Sequence, residues 1–167
     1  VQKEPLGMGD ALIRAQKYIK GDFIFMGGNH VNSEVLIGQL LKVKDKKKNL
    51  AGVVMVKKRE NTWDYGVGTI KNGFLSSVVE KPKKGTEPSK LCLVSIYYLP
   101  VRFLEILKKI NKVQYNFEDA LDSFAKHEKI AVVNTEDEIL TLKYPWDLLK
   151  TKIFLLERVK KYIGKNV

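Results

Sequence analysis

Hydrophobic residues recur along the chain in two patterns, and the first half alternates between them. Asp10 to Ile19 has apolar residues at helical spacing, and Gly9 or Asp10 is suited to cap that helix. Phe23 to Met26 is a short, continuous apolar run closed by Gly27-Gly28. Such a run is typical of a buried strand in a parallel sheet.

The next segments repeat this alternation and then add a hairpin. Ser33 to Val43 predicts an amphipathic helix with Ser33 as its N-cap, and Leu50 to Val56 predicts a second apolar strand. Tyr65 to Ile70 and Phe74 to Glu80 flank Lys71-Asn72-Gly73. Asn-Gly between two strand patterns is a strong hairpin signal.

The second half predicts further strands and helices. We expect strands over Leu91–Tyr98, Lys129–Val133 and Ile139–Leu142, and helices over Pro100–Ile110, from Asn116 past Phe124, and over Pro145–Ile163.

These elements predict one α/β domain over residues 1–167, with three layers and a mainly parallel, partly mixed sheet carrying an inserted hairpin. The handedness of crossovers leads us to expect the early strands to be neighbours in the sheet. Ligands in such sheets bind beyond the carboxyl ends of the strands. Here those ends are Gly27-Gly28-Asn29 and Glu80-Lys81-Pro82.

Composition narrows the class of protein. The 167 residues are 44% hydrophobic and 29% charged, as in globular domains. The single cysteine, Cys92, excludes an internal disulfide and fits a small buried apolar residue. With no apolar run long enough to span a bilayer and no signal peptide, we interpret the protein as cytoplasmic. The net charge of +11 fits a solvated surface, and we rank nucleic-acid binding last because no aromatic-plus-basic motif stands out.

Three stretches, taken together, resemble the sugar-phosphate nucleotidylyltransferases. They are Gln2 to Ala11, Val79-Glu80-Lys81-Pro82, and Tyr144-Pro145-Trp146-Asp147-Leu148. The chain is most similar to archaeal members of the thymidylyl- and uridylyltransferase type that act on glucose 1-phosphate. The resemblance implies a Rossmann-like domain of the GT-A type, in which a sugar 1-phosphate attacks the α-phosphorus of a nucleoside triphosphate and pyrophosphate leaves.

The resemblance also implies roles for particular residues. Gln2 and Gly7 would bind the edge of the nucleobase, Glu80 would accept hydrogen bonds from sugar hydroxyls, and Lys81 would hold the sugar phosphate. The alternatives are that Gln2 and Gly7 are loop residues and that Glu80 and Lys81 are an ordinary charged strand end. We expect Trp63 and Trp146 to be packing residues.

The departures from the family concern its phosphate loop and its metal site. The glycine-rich opening segment does not occur here, so we expect the domain to be N-terminally incomplete. The two positions that would hold Asp ligands of Mg²⁺ are occupied by Asn29 and Thr141. Mg²⁺ prefers carboxylates and substrate phosphates, so a pair of neutral oxygens predicts a degenerate metal site.

Further changes fall at the same predicted pocket. Leu93 replaces a polar Asn expected to contact the sugar, and Lys143 replaces a Gly at the pocket mouth. Asp137 and Asp147 are the alternative carboxylates if the alignment at Thr141 slips. His30, next to Asn29, is either a phosphate or metal contact or a polar loop residue.

Two functions remain open at this stage. The chain is either part of a working sugar-1-phosphate nucleotidylyltransferase or a non-catalytic subunit that binds a sugar nucleotide and pairs with an active paralogue. Because the opening strands of the sheet are expected to be missing, apolar strand edges need a cover. We therefore expect a homo-oligomer, a complex with a paralogue, or pairing with an N-terminal segment.

Overall fold

The computed structural model describes residues 2–110 and 116–163, with side chains described up to residue 159. Val1 and residues 164–167, at the two ends of the predicted domain, lie outside the described residues. The elements follow in the order α1 (Gly7–Ala15), β1 (Phe23–Met26), α2 (Ser33–Lys46), β2 (Gly52–Lys58), β3 (Gly66–Lys71), β4 (Phe74–Glu80), β5 (Leu91–Leu99), α3 (Phe103–Lys109), α4 (Asn116–Ala125), β6 (Ile130–Asn134) and α5 (Asp147–Ile163).

The strands form one mixed sheet in the order β1-β5-β2-β6-β4-β3. Strands β1, β2, β3 and β6 run in one direction, and β4 and β5 run in the other. The predicted mixed α/β sheet is therefore confirmed. Four of the six strands among the described residues, β1, β2, β3 and β6, are parallel to one another in direction. Between neighbours, β2 and β6 pair in parallel, whereas the other paired strands are antiparallel.

The expectation that the early strands are neighbours is wrong. Strand β5 lies between β1 and β2, and its Tyr97 is the partner of Phe25 on one side and Val54 on the other. The pattern of the first half could not show this, because β5 is placed by long-range pairing. The insertion brings the middle of β5 beside the carboxyl end of β1, where Met26 pairs with Ile96.

Helices cover both faces of the sheet, which confirms three layers. On one face, α1, α3 and α4 enclose a cluster of aromatic rings in which Phe117 contacts Phe25, Tyr97 and Phe103 at centroid distances of 5.1, 4.9 and 5.5 Å. On the other face, Leu36 and Leu40 of α2 are fully buried against the sheet. The sheet thus has a separate hydrophobic core on each side.

The predicted hairpin is confirmed. Strands β3 and β4 pair from Gly66↔Glu80 to Lys71↔Phe74. Asn72 and Gly73, between them, have φ values of +52° and +78°. Two consecutive positive φ angles match the tight turn that follows the twist of a hairpin.

Several local predictions differ from the structure. Asn32, not Ser33, is the N-cap position of α2, and its side chain bonds the carbonyl oxygen of Glu138 and the N–H of Leu140 instead of capping the helix. The predicted strand Ile139–Leu142 is reduced to a single bridge between Thr141 and His30. Helix α3 begins at Phe103 because residues 100–102 form turns.

The apolar side of the last helix, α5, is exposed in the part of the helix whose side chains the structure describes. The exposed side chains are Leu148, Leu149, Ile153, Leu156 and Val159, which are 60%, 66%, 52%, 49% and 50% exposed. In the part of the chain that the structure describes, no helix is sufficiently long and apolar to cross a membrane.

Candidate functional site

A cavity of about 720 Å³ opens where β1, β4 and β5 meet the loop that precedes α5. Its volume is in the range typical of small-molecule sites. Its wall includes five segments of the chain: the turn after β1, the start of β3, the end of β4, the first turn of α4 and the stretch within residues 139–147. The cavity therefore lies at the carboxyl ends of β1 and β4, the two strand ends at which the sequence predicts a ligand site.

Glu80 and Lys81 both line this cavity. Glu80 ends β4 and pairs with Gly66, and burial raises the pKa of its carboxyl group. Lys81 has a φ of +45°, and its backbone N–H donates to the carbonyl oxygen of Tyr65 at 3.0 Å. This left-handed turn redirects the chain at the strand end, so that an acidic and a basic side chain lie on the same cavity wall.

Gln2 and Gly7 lie close together but contribute nothing to the cavity wall, whereas their neighbour Met8 does. The Gln2 amide donates to the carbonyl oxygen of Gly7 at 3.1 Å and to a carboxylate oxygen of Asp10 at 2.8 Å. Asp10 also pairs with Arg14 at 2.7 Å. Helix α1 begins at Gly7, three residues earlier than predicted, so Asp10 lies inside the helix and not at its cap.

Asn29 and Thr141 are brought together on the cavity wall. The carbonyl oxygen of Asn29 accepts a hydrogen bond from the N–H of Leu142 at 2.9 Å. The next residue, His30, pairs with Thr141 in an isolated antiparallel β-bridge. Within residues 2–110 and 116–163, no group of three or more His, Cys, Asp or Glu is arranged to hold a metal ion. The side chains at this point offer neutral oxygens, which fit Mg²⁺ poorly.

The two alternative carboxylates lie in different places. Asp147 lines the cavity, but one of its oxygens accepts the N–H groups of Lys143 and Tyr144 at 2.9 and 2.8 Å, and these bonds lower the pKa of its carboxyl group. Asp137 lies outside the cavity, where it accepts a hydrogen bond from Gln39. His30 lines the cavity, and burial lowers the pKa of its imidazole, which favours the neutral form.

Trp146 is at the cavity rim and not in the core, so the prediction that it packs is wrong. It is 71% exposed and stacks on Tyr144 with ring centroids 4.8 Å apart and planes 15° apart. The Lys143 ammonium group lies 5.4 Å from the centroid of the Tyr144 ring. Trp63 is partly buried, and the Lys84 ammonium group lies over its ring. Cys92 is fully buried, as predicted for a small apolar residue.

Leu93 and Lys143 also line the cavity, at the places where the sequence departs from the resemblance. Leu93 is 6% exposed and presents an apolar side chain to the cavity beside Gly66. Lys143 adds a cation near the opening. These two residues make the wall more apolar at one side and more basic at the other.

Glu118 is a residue of this cavity that the sequence analysis missed. It lies in the first turn of α4, is only 8% exposed, and lines the cavity near Glu80. Burial, and next the charge of Glu80, raises the pKa of the Glu118 carboxyl group to about 7. The sequence does contain one sign of this position. Glu118 lies three residues before Leu121 and seven before Ala125, and this spacing places its carboxyl group on the apolar face of the helix.

Comparisons with known proteins agree on one class. The nucleotidyl transferase family model matches residues 1–142. The bifunctional protein GlmU of Methanococcus maripaludis is 28% identical over 172 residues, which cover 99% of this chain and 39% of that protein. A UTP–glucose-1-phosphate uridylyltransferase of Streptococcus pyogenes is 29% identical over 147 residues, covering 77% of this chain and 48% of the enzyme.

A solved structure shares the fold. The UDP-glucose pyrophosphorylase complexed with UDP-glucose superposes with a TM-score of 0.72 at 19% identity, covering 94% of this chain and 65% of that one. The chain spans 39% and 48% of the two sequence relatives, which is less than half the length of each. At this identity the structural likeness supports the fold, and the sequence match carries the family.

Proposed function

The chain belongs to the nucleotidyl transferase family, and on that premise we propose that its cavity binds a sugar phosphate and a nucleotide, or the sugar nucleotide that joins them. We propose further that transfer of the nucleotidyl group is impaired. The observation that carries this proposal is the contrast between two walls of the cavity. Glu80 and Lys81 form one wall, whereas the neutral Asn29 and Thr141 lie together in another.

The first wall supplies binding. The Glu80 carboxylate accepts hydrogen bonds from sugar hydroxyls, and the Lys81 ammonium group attracts the sugar phosphate as a point charge. Because both lie at the end of β4, one turn of backbone fixes the distance between the sugar and phosphate contacts. Bonds of this kind to charged groups contribute about 1.5–3 kcal/mol each.

The second wall explains the proposed loss of chemistry. Transfer requires a phosphate oxygen of the sugar to attack the α-phosphorus while pyrophosphate leaves, and the charge that develops must be neutralised. Mg²⁺ serves this purpose when carboxylates hold it, but Asn29 and Thr141 are uncharged. Asp147 supplies a single carboxylate in their place, and two backbone N–H groups already occupy one of its oxygens.

A binding measurement tests the proposal. We expect UDP-glucose and related sugar nucleotides to bind the protein in isothermal titration calorimetry. Lys81→Ala should weaken this binding by roughly tenfold or more. The matched control is Lys108→Ala, which removes an exposed lysine of α3 paired with Glu105. Equal affinity in both variants would show that Lys81 does not hold the phosphate.

The second candidate is a non-catalytic subunit that acts with a partner. The supporting observation is apolar surface: β1 is an edge strand of the sheet, and the apolar side of α5 is exposed. We propose that a second copy, a paralogue or an N-terminal segment covers these surfaces. Light scattering coupled to gel filtration tests the self-association, and a stable, monodisperse monomer would contradict it.

A further inference from the structure

The cavity contains a buried carboxyl group that sugar hydroxyls alone do not explain. Glu118 is more than nine-tenths buried and lines the cavity. Its side chain accepts a hydrogen bond from its own backbone N–H. Among the described residues, no other side chain forms a hydrogen bond or ion pair with it at the usual distances. In its ionised form, a carboxyl group in such a place is stabilised by a compensating donor or cation.

Glu80 and Glu118 converge on the same point of the cavity. A Cβ atom added to Gly66 would lie 2.8 Å from Oε2 of Glu80 and 3.7 Å from Cγ of Glu118. Both acidic side chains therefore approach Gly66, together with the Leu93 side chain, whose Cδ1 would lie 3.0 Å from the same added atom. The absence of a Cβ at Gly66 makes room for the Glu80 carboxyl group, and Glu80 at the end of β4 and Glu118 of α4 both line the cavity beside this glycine.

The charges around Glu118 come from three elements. Glu80 and Asp119 are acidic neighbours that disfavour its ionisation, and Lys81 is a cation that favours it. The buried Tyr97 phenol of β5 faces the same pair, and its own pKa is raised by burial and by Glu118. Among the described residues, the charges of Glu80 and Asp119 therefore disfavour ionisation of Glu118 more than the charge of Lys81 favours it.

We propose that this end of the cavity selects a sugar phosphate that carries an ammonium group, bound between Glu80 and Glu118. The proposal rests on the function proposed above and specifies its substrate class. An ammonium group offers three N–H donors and a positive charge, whereas a ring hydroxyl offers one donor and carries no charge. The phosphate of the same ligand is the partner of Lys81, so the ligand's two opposite charges match the two signs on the wall.

Calorimetry with the whole protein tests this selection. The probes are hexose 1-phosphates that carry an amino, hydroxyl or N-acetylamino group at one ring carbon, taken in turn at positions 2, 3 and 4. At neutral pH we expect one amino ligand to bind at least roughly tenfold more tightly than its hydroxyl counterpart. Glu118→Gln keeps the size of the side chain and should remove this preference without weakening the hydroxyl ligand comparably.

The matched control is Glu105→Gln, an exposed carboxylate of α3 outside the cavity. It should leave the preference intact. A second readout needs no variant. Since burial raises the pKa of the Glu118 carboxyl group to about 7, the ratio of the affinities for the amino and hydroxyl ligands should rise from about pH 6 towards pH 7.5. This ratio cancels the titration of the phosphate group, which both ligands carry. The amino ligand should also release more protons to the buffer on binding than the hydroxyl ligand does.

The outcomes separate this inference from the function on which it rests. If hydroxyl and N-acetyl ligands bind as tightly as every amino ligand, the ammonium site is wrong and the sugar-phosphate function stands. The same conclusion follows if Glu118→Gln retains the preference for the amino ligand. If the folded protein binds no sugar phosphate of any kind, both proposals fail.

Discussion

Replacing Glu118 by Gln should stabilise the protein in neutral and alkaline solution. The Glu118 carboxyl group has an ordinary pKa of 4.5 and a pKa of about 7 in the folded protein. Between these values the folded chain retains a proton that the unfolded chain releases. By proton linkage, the free energy of unfolding therefore falls as pH rises through this window.

The magnitude follows from the pKa difference. A shift from 4.5 to about 7 corresponds to about 3 kcal/mol of lost stability above pH 8, and to almost none below pH 4. Gln avoids this loss because it carries no charge at any pH. Glu118→Gln should thus gain up to about 3 kcal/mol over the wild type at pH 8, and the pH dependence of its stability should be flatter.

Urea denaturation at a series of pH values between 5 and 8, followed by circular dichroism, provides the assay. For a chain of this length, each kcal/mol also raises Tm by roughly 2–4 °C. Glu105→Gln serves as the control, because its carboxylate is exposed and pairs with Lys108 at the surface. The reasoning is refuted if Glu118→Gln is no more stable than the wild type at pH 8, or if both show the same slope with pH.

Three further variants test the packing and the proposed loss of the metal site. Gly9→Ala should cost roughly 1–3 kcal/mol in urea denaturation, because its Cβ would lie 2.0 Å from Oδ1 of the buried Asn116. Phe117→Ala should cost about 3–5 kcal/mol in the same assay, since the Phe117 ring contacts several aromatic rings of one core; a loss below about 1 kcal/mol would contradict that packing. Introducing carboxylates by the double substitution Asn29→Asp and Thr141→Asp should tighten Mg²⁺ binding by roughly tenfold or more in calorimetry, and an unchanged affinity would show that the two positions do not form a metal site.

Local sequence patterns predicted most elements of this fold but not their neighbours. Phe23–Met26 and Phe74–Glu80 were predicted with the bounds that the structure shows, because turn residues limit each segment: Gly27-Gly28 follow the first strand and Asn72-Gly73 precede the second. The position of β5 between β1 and β2 depends on pairing across about 70 residues, which no local pattern carries. The segment Ile139–Leu142 has a strand-like composition, yet it pairs only through Thr141.

The cavity was predicted in part. Glu80 and Lys81 were identified from a motif at a strand end, and the structure brings them to one cavity with Asn29 and Thr141. Trp146 was interpreted as a packing residue, but its ring lies at the exposed rim of the cavity. Glu118 was missed because its role depends on Gly66 and Glu80, which approach it only in the folded chain.

The most direct test of the central claim compares sugar-nucleotide binding with catalysis in the same protein preparation. UDP-glucose binding is measured by calorimetry, and pyrophosphate release is measured with Mg²⁺ and a panel of nucleoside triphosphates crossed with sugar 1-phosphates. The account predicts that a sugar nucleotide binds and that pyrophosphate release stays at background. Release well above background with any substrate pair, or a folded protein that binds none of these ligands, would contradict it.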